Sequence, residues 1–341
     1  MNPYENIVLE NKYNSILDTK IDMNAYLTAD RSLSESAGMV KRINTYTASG
    51  AVEDLAKGVG NSESIEASYI SNDYRVGVTQ GRFPYYDEDL MTDPALIDAG
   101  LKGIAEIMAN DLTEKAIGEM EKGTQTVECD FSTATAGYFF GKVVDALALF
   151  GEEQEGLTLL ISPKVQAYVR KQLGEDLKYS EGFARTGYIG SVAGIPVVVS
   201  KAVPDTCAII VNKEAVTAFL KKDTEAEQER DANTRKNTLY MRKVAVVALT
   251  NAKKVAILGN AQTTSVAITT STAGGTTIAG TCGTGCHLVT AAVGSGAALP
   301  TTPSAGAWSL TVATALASGQ IVTAAAYEQG YAASVATATV A

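Results

Sequence analysis

The chain has 341 residues, 46% of them hydrophobic and 19% charged, with a formal net charge of −10 at pH 7. That length supports two or three domains around a substantial core, and the mixture is neither that of a disordered polymer nor that of a membrane protein. The negative balance argues against a dedicated nucleic-acid binder, whose phosphate contacts need clustered Lys and Arg, and no apolar run approaches the roughly 20 residues of a bilayer span.

The opening stretch, MNPYENIVLENKYNSILD, has acids where a secretion signal carries basic and then apolar residues, so the expected compartment is a cytosol. Residues 1 to 44 are polar and mixed, which suggests an extended arm with a short helix. From 45 to 86 strand-like pieces broken by glycines predict a long two-stranded ribbon. Such a ribbon is marginal in water by itself and wants a neighbouring chain to lie on. Asp93-Pro94 then opens the strongest helical pattern. Leu96, Ile97, Leu101, Ile104, Met108, Leu112, Ile117 and Met120 recur at helical spacing until Gly123 ends it. Residues 130 to 150 predict a second helix with an apolar stripe of Phe139, Val143, Leu147 and Phe150.

Residues 157 to 161 predict an apolar strand, stopped by Ser162-Pro163 as the cap and first turn of a helix over 164 to 173. Residues 187 to 220 hold a strand, a Gly194-Ile195-Pro196 corner, two further strands and a closing helix, almost without charge. Residues 221 to 237 are a charge-dense crossing. The acidic run 225 to 231 suggests a cation site, but its interleaved Gln228, Arg230 and Ala232 fit a solvated or intersubunit salt-bridge segment better. Residues 238 to 258 predict a hairpin turning near Asn251. Beyond Leu258 the composition changes: Thr, Ala, Gly, Ser and Val dominate to the end, and the single charged side chain is Glu328. Alternating runs there predict a small, separate β-sandwich.

No catalytic constellation emerges. His287 is the sole histidine and sits in the uncharged segment, which leaves a Ser-His-Asp or Cys-His scheme little to work with. Cys282 and Cys286 with His287 read as half a metal site lacking its other ligands, as a disulfide formed in an oxidising medium, or as two small turn residues. The glycines of 274 to 285 lack the lysine of a phosphate loop. We expect no cofactor and no enzymatic activity.

The ordered set of arm, ribbon, spine helix, apolar strands and Gly-Ile-Pro corner resembles the major capsid proteins of tailed bacteriophages, the Hong Kong ninety-seven type shell fold. The likeness covers about residues 1 to 258. It rests on Ile43-Asn44-Thr45-Tyr46 leading to Gly50-Ala51-Val52-Glu53, on Arg82-Phe83-Pro84-Tyr85-Tyr86-Asp87-Glu88-Asp89, and on Leu159-Leu160-Ile161-Ser162-Pro163. It implies an α+β chain with an arm at 1–44, an E-loop ribbon at 45–90, a spine helix with peripheral domain at 91–130, an axial domain at 131–222 and peripheral return strands at 223–258. Residues 259–341 resemble bacterial Ig-like repeats through Gly306-Ala307-Trp308-Ser309-Leu310 and Leu316-Ala317-Ser318-Gly319-Gln320, and form an outward-facing sandwich.

The resemblance further implies pentamers and hexamers closing an icosahedral shell around double-stranded DNA in a virion assembled in the host cytoplasm. The family's large N-terminal scaffolding extension looks absent here, so a separate scaffolding protein and a portal are the expected partners. The assembly residues it singles out are Lys57, Arg82, Tyr85, Gly194, Ile195 and Pro196. Lys57 lies where some relatives crosslink a ribbon lysine to a neighbour's asparagine, and the alternative is a solvated loop lysine. The rival readings are an encapsulin-type bacterial compartment of the same fold and an Ig-domain adhesin or surface protein.

Overall fold

The computed structural model describes residues 26–34, 38–49, 53–54, 60, 66–93, 95–133, 135, 137–177, 190–296 and 298–341. Two sheets build the body. The first takes β4 (Gly77–Tyr86), β10 (Val216–Asp231), β11 (Lys236–Leu249) and the short β1 (Thr28–Asp30), in the order β1-β10-β11-β4. Its apolar face receives the helix α2 (Leu96–Met120), which follows a short α1 (Asp87–Thr92). Leu101, Ile104, Ala105 and Met108 of α2 meet Leu239 and Met241 of β11 and Ala226 of β10. The approach is close at two glycines. A Cβ at Gly81 would stand 2.6 Å from Ile104, and one at Gly100 only 2.5 Å from the Phe83 ring.

The second sheet has six strands: β5 (Gln125–Glu128), β6 (Leu157–Ile161), β7 (Ser191–Val192), β8 (Ile195–Val199), β9 (Cys207–Asn212) and β12 (Val255–Gly259), ordered β5-β12-β9-β6-β8-β7. Alternation along its central strands serves two cores. Leu159 and Ile161, Ala208 and Ile210, and Ala256 and Leu258 face α3 (Tyr138–Ala148) and α4 (Pro163–Leu177). Leu160, Ile209, Val211, Val255 and Ile257 face the end of α2 at Ala116, Ile117 and Met120. With both sides covered, nearly every position is apolar, and these strands are runs of Val, Ile, Leu and Ala in which the buried Thr158 of β6 is the polar exception inside a strand. Ser162 caps α4, accepting from the Val165 amide at 3.2 Å and donating to Asp205 at 2.8 Å.

Beside the body lies the ribbon, β2 (Val40–Ser49) paired antiparallel with β3 (Glu66–Arg75), from Val40 opposite Arg75 to Ser49 opposite Glu66. Among the described residues no third strand joins it. The last seven strands form two facing sheets. They are β13 (Ala267–Ser271), β14 (Thr277–Thr281) and β17 (Ala307–Thr311) on one side, and β15 (Cys286–Val293), β16 (Leu299–Thr301), β18 (Ile321–Glu328) and β19 (Ser334–Thr339) on the other. Trp308, Ile278, Val289, Val322, Ala324 and Leu316 fill the space between them.

Two expected elements differ. The helix closing at Leu220 is instead the start of β10, since Val216 and Ala218 point into one core and Phe219 into another, the alternation of a strand. The crossing over 221 to 237 continues that strand and turns into β11. The hairpin near Asn251 does not form either. Asn251 caps a single 3₁₀ turn at Ala252–Lys254 that carries the chain from β11 in the first sheet to β12 in the second.

Candidate assembly surfaces

The ribbon's root is built from residues far apart in sequence. Ile43 and Tyr74 pack on Leu33, Val76, Phe219 and Ala248, and the Val76 amide donates to the Met39 carbonyl at 2.8 Å. The Lys41 ammonium lies 4.6 Å from the centre of the Phe219 ring. One step further out, Arg42 grips Asp73 with two hydrogen bonds of 2.6 and 2.8 Å. Tyr74 is held from below, where burial and the Glu119 carboxylate beside it push its hydroxyl up to about 12. The root is packed into the body on one face, while the neighbouring Asn72, Asp73 and Arg75 are exposed.

The first sheet carries a ladder of charges across β10 and β11. Arg242 pairs with Glu225 at 2.6 Å and Glu227 at 3.1 Å, and the Tyr240 hydroxyl donates to Glu229 at 3.0 Å. The acidic run is therefore paired within the chain, one glutamate on every second residue. At its far end Asp87 accepts from Arg230 at 2.9 Å and from Asn237 at 2.5 Å, and these bonds hold its carboxyl below the usual aspartate range.

The singled-out residues do not form one site. Lys57 lies outside the described residues. Arg82 is exposed on β4 opposite Tyr240 of β11. Tyr85, three residues on, is only 6% exposed, stacks on Phe83 with centroids 5.9 Å apart, and its hydroxyl accepts from Gln228 at 2.7 Å. It works inside its own subunit. Gly194, Ile195 and Pro196 stand at the opposite edge of the second sheet, in the β7–β8 hairpin. Ala193 and Gly194 have φ of 50° and 82°, the positive pair that a two-residue hairpin loop requires. Ile195 is buried, while Gly194 and Pro196 face outward at the tip. Cys282 and Cys286 are both buried in the last two sheets.

What the sequence did not reveal is the joint between the body and these last strands. Asn260 bridges to Tyr331, the Ala332 amide donates to the Asn260 carbonyl at 2.9 Å, and the Ala333 amide donates to Thr126 Oγ1 at 2.9 Å. Gly330, at φ 72°, brings its backbone close to Cys207, whose sulfur lies 3.6 Å from where a Cβ would sit. His287 lies against Lys122 at the end of α2 with both ring nitrogens buried, and burial lowers its basicity. Next to Lys122, burial pushes the Glu121 carboxyl up to about 7, near Cys207. Because the fold favours the protonated form, its contribution to stability is full below its ordinary value of 4.5 and fades as pH rises through 7. We expect Glu121→Gln to raise the thermal midpoint at pH 8 by a few degrees and to leave it unchanged at pH 4.5. An equal shift at both pH values, read by calorimetry, would remove Glu121 as the cause.

Neither a protein-family model nor a curated protein sequence matches the chain. Solved structures do. The capsid of a native GTA particle superposes with a TM-score of 0.57 at 14% identity, over 70% of this chain and 90% of the other. A virus-like particle from Pyrococcus furiosus gives 0.54 at 12% identity, over 75% of this chain and 100% of the other. A Mycobacterium phage Che8 structure gives 0.52 at 14% identity, over 67% and 88%. The chain shares the fold of phage and virus-like shell proteins.

Proposed function

We propose that this chain is the shell subunit of a tailed-phage capsid, assembling as pentamers and hexamers into a closed icosahedral particle around double-stranded DNA. The observation that carries the reading is the ribbon. In a body with the capsid fold, β2 and β3 pair only with each other among the described residues, and next to their packed root Arg42, Asn44, Ser71, Asn72 and Asp73 are exposed. A two-stranded ribbon has little stability of its own, so its natural place is on the next subunit, and repeated symmetric contacts of modest strength give a stable shell. The exposed tip at Gly194 and Pro196 fits the centre of a ring of subunits, and Lys57, between β2 and β3 in sequence, remains the candidate for a covalent link.

The last seven strands form an Ig-like domain that faces outward. Each of the three matches leaves at least a quarter of this chain uncovered, the size of such an addition. DNA is enclosed without being gripped, in keeping with a net charge of −10. A separate scaffolding protein and a portal are the partners, the virion is the location, and the role is structural, with no catalysis. A bacterial compartment shell is the second reading, favoured by the match over the full length of the Pyrococcus furiosus particle. Electron microscopy of the purified protein, expressed with and without a candidate scaffolding protein, tests the proposal. Closed shells support it, and their nucleic-acid or protein contents separate the two readings. Monodisperse monomers under every condition overturn both.

A further inference from the structure

We propose that Cys282 and Cys286 join in an intrachain disulfide when the protein passes from a reducing to an oxidising medium, stapling the start of β15 to the strand before it. Of the four cysteines, Cys129 and Cys207 sit singly in the two body cores. Cys282 and Cys286, only four residues apart, share one core with Trp308 and Ile278. Each thiol is close enough to shift the other's acidity, and the Cys286 sulfur lies 4.0 Å from Gln262 Oε1. The chain between them turns tightly. The Cys286 amide donates to the Gly283 carbonyl at 3.1 Å, and the Cys282 amide is anchored on the Gly306 carbonyl at 2.9 Å.

The turn residues are chosen for closeness. A Cβ at Gly283 would lie 3.7 Å from the Cys286 sulfur, and one at Gly285 would fall almost on Glu328 Oε1. Glu328, the only charged side chain between residues 259 and 341, is thus folded over this turn. Burial above all, then the neighbouring Cys282 thiol and Glu328, push the Cys286 thiol up to about 12. The reduced pair is therefore a poor nucleophile at neutral pH, and closure is slow in the native protein. Glu328 also precedes the Gly330-Tyr331 turn that meets the body, so the staple lies next to the joint.

The oxidant is a small disulfide such as glutathione disulfide. One cysteine thiolate attacks its sulfur and expels a glutathione thiolate. The second cysteine thiolate then attacks the mixed disulfide and expels the other. Two protein thiols give up two electrons and two protons, and one glutathione disulfide becomes two glutathiones.

The test treats the full chain with glutathione disulfide, both natively overnight and during refolding from denaturant, followed by alkylation under denaturing conditions and mass mapping. The peptide holding both cysteines should lose two hydrogens and escape alkylation, while Cys129 and Cys207 are alkylated in full. The unfolding midpoint of the last two sheets should rise on the order of 5–10 °C, reversibly with dithiothreitol, and the C282S/C286S double variant should show no rise. Glutathione adducts on both cysteines after refolding, links between chains, or free thiols under both conditions would overturn the proposal.

Discussion

Replacing residues 42–73 with Asn-Gly, so that Lys41 and Tyr74 close a two-residue hairpin, should abolish shells while leaving a soluble body with an unchanged thermal midpoint. The cut is set by the register, which places Lys41 opposite Tyr74, and by the chemistry of Asn-Gly, which supplies the two positive φ values such a loop needs. Of the root it removes only Ile43, a partly buried side chain, and keeps Leu33, Tyr74, Val76, Phe219, Ala248 and the Lys41 contact to the Phe219 ring. A wider deletion over 45 to 86 is the wrong experiment. It would take β4 from the first sheet, with ten register pairs to β11, and with it the Phe83 and Gly81 contacts to α2. At about 3.3 Å per residue each ribbon strand spans roughly 33 Å, long enough to cross the body of a neighbour. In the proposed shell every subunit would give one ribbon and receive one, so the loss would recur at each contact of a closed particle. Micrographs and sedimentation decide it. Shells of normal size and yield from the replaced chain would show that the ribbon does not hold subunits together.

What could be read in advance divides along a physical line. Strands β6, β9 and β12 are legible because both their faces are buried, which leaves them almost wholly apolar, Thr158 excepted. Ser162-Pro163 is legible because a cap is a local event. The spine helix is legible over seven turns, for its apolar positions recur until Gly123. Residues 216 to 220 are not. Five residues of Val, Thr, Ala, Phe and Leu fit one helical turn as well as a strand, and pairing with β11 decides between them. Residues 225 to 231 show a strand period in their alternating glutamates, but Arg242 and Tyr240, which meet Glu225, Glu227 and Glu229, lie on another strand, and without them the run reads as a loop. The same limit hides the sites. Tyr85 is quoted easily from its motif, yet its partner Gln228 is 143 residues away. The joint at Asn260 and Tyr331 consists of backbone groups, which leave no mark on sequence.

That joint makes Gly259→Ala the more telling single substitution. The added Cβ would lie 2.8 Å from the Ala332 nitrogen and from the Tyr331 carbonyl carbon. These are backbone atoms, so no rotamer change relieves the clash and the last seven strands must lift from the body. Lifting them breaks the bonds from Ala332 to Asn260 and from Ala333 to Thr126. The expected cost is about 1–3 kcal/mol, as for an overpacked core. It should appear as a lower, separate calorimetric transition for the last two sheets and as roughly 5- to 100-fold faster proteolysis between residues 260 and 266. Gly259 also ends β12, paired with Cys207 and Glu128, so the substitution might be thought to act on the body instead. A chain ending after Asn260 separates the two causes, because it lacks Ala332. There Gly259→Ala should change the melting of the body by less than about 0.5 kcal/mol. An equal penalty in the full and shortened chains would place the strain in β12 and not in the joint. The shortened chain answers a second question as well. Shells from it would mark the sandwich as mounted on the particle, whereas their loss would make the sandwich part of the lattice.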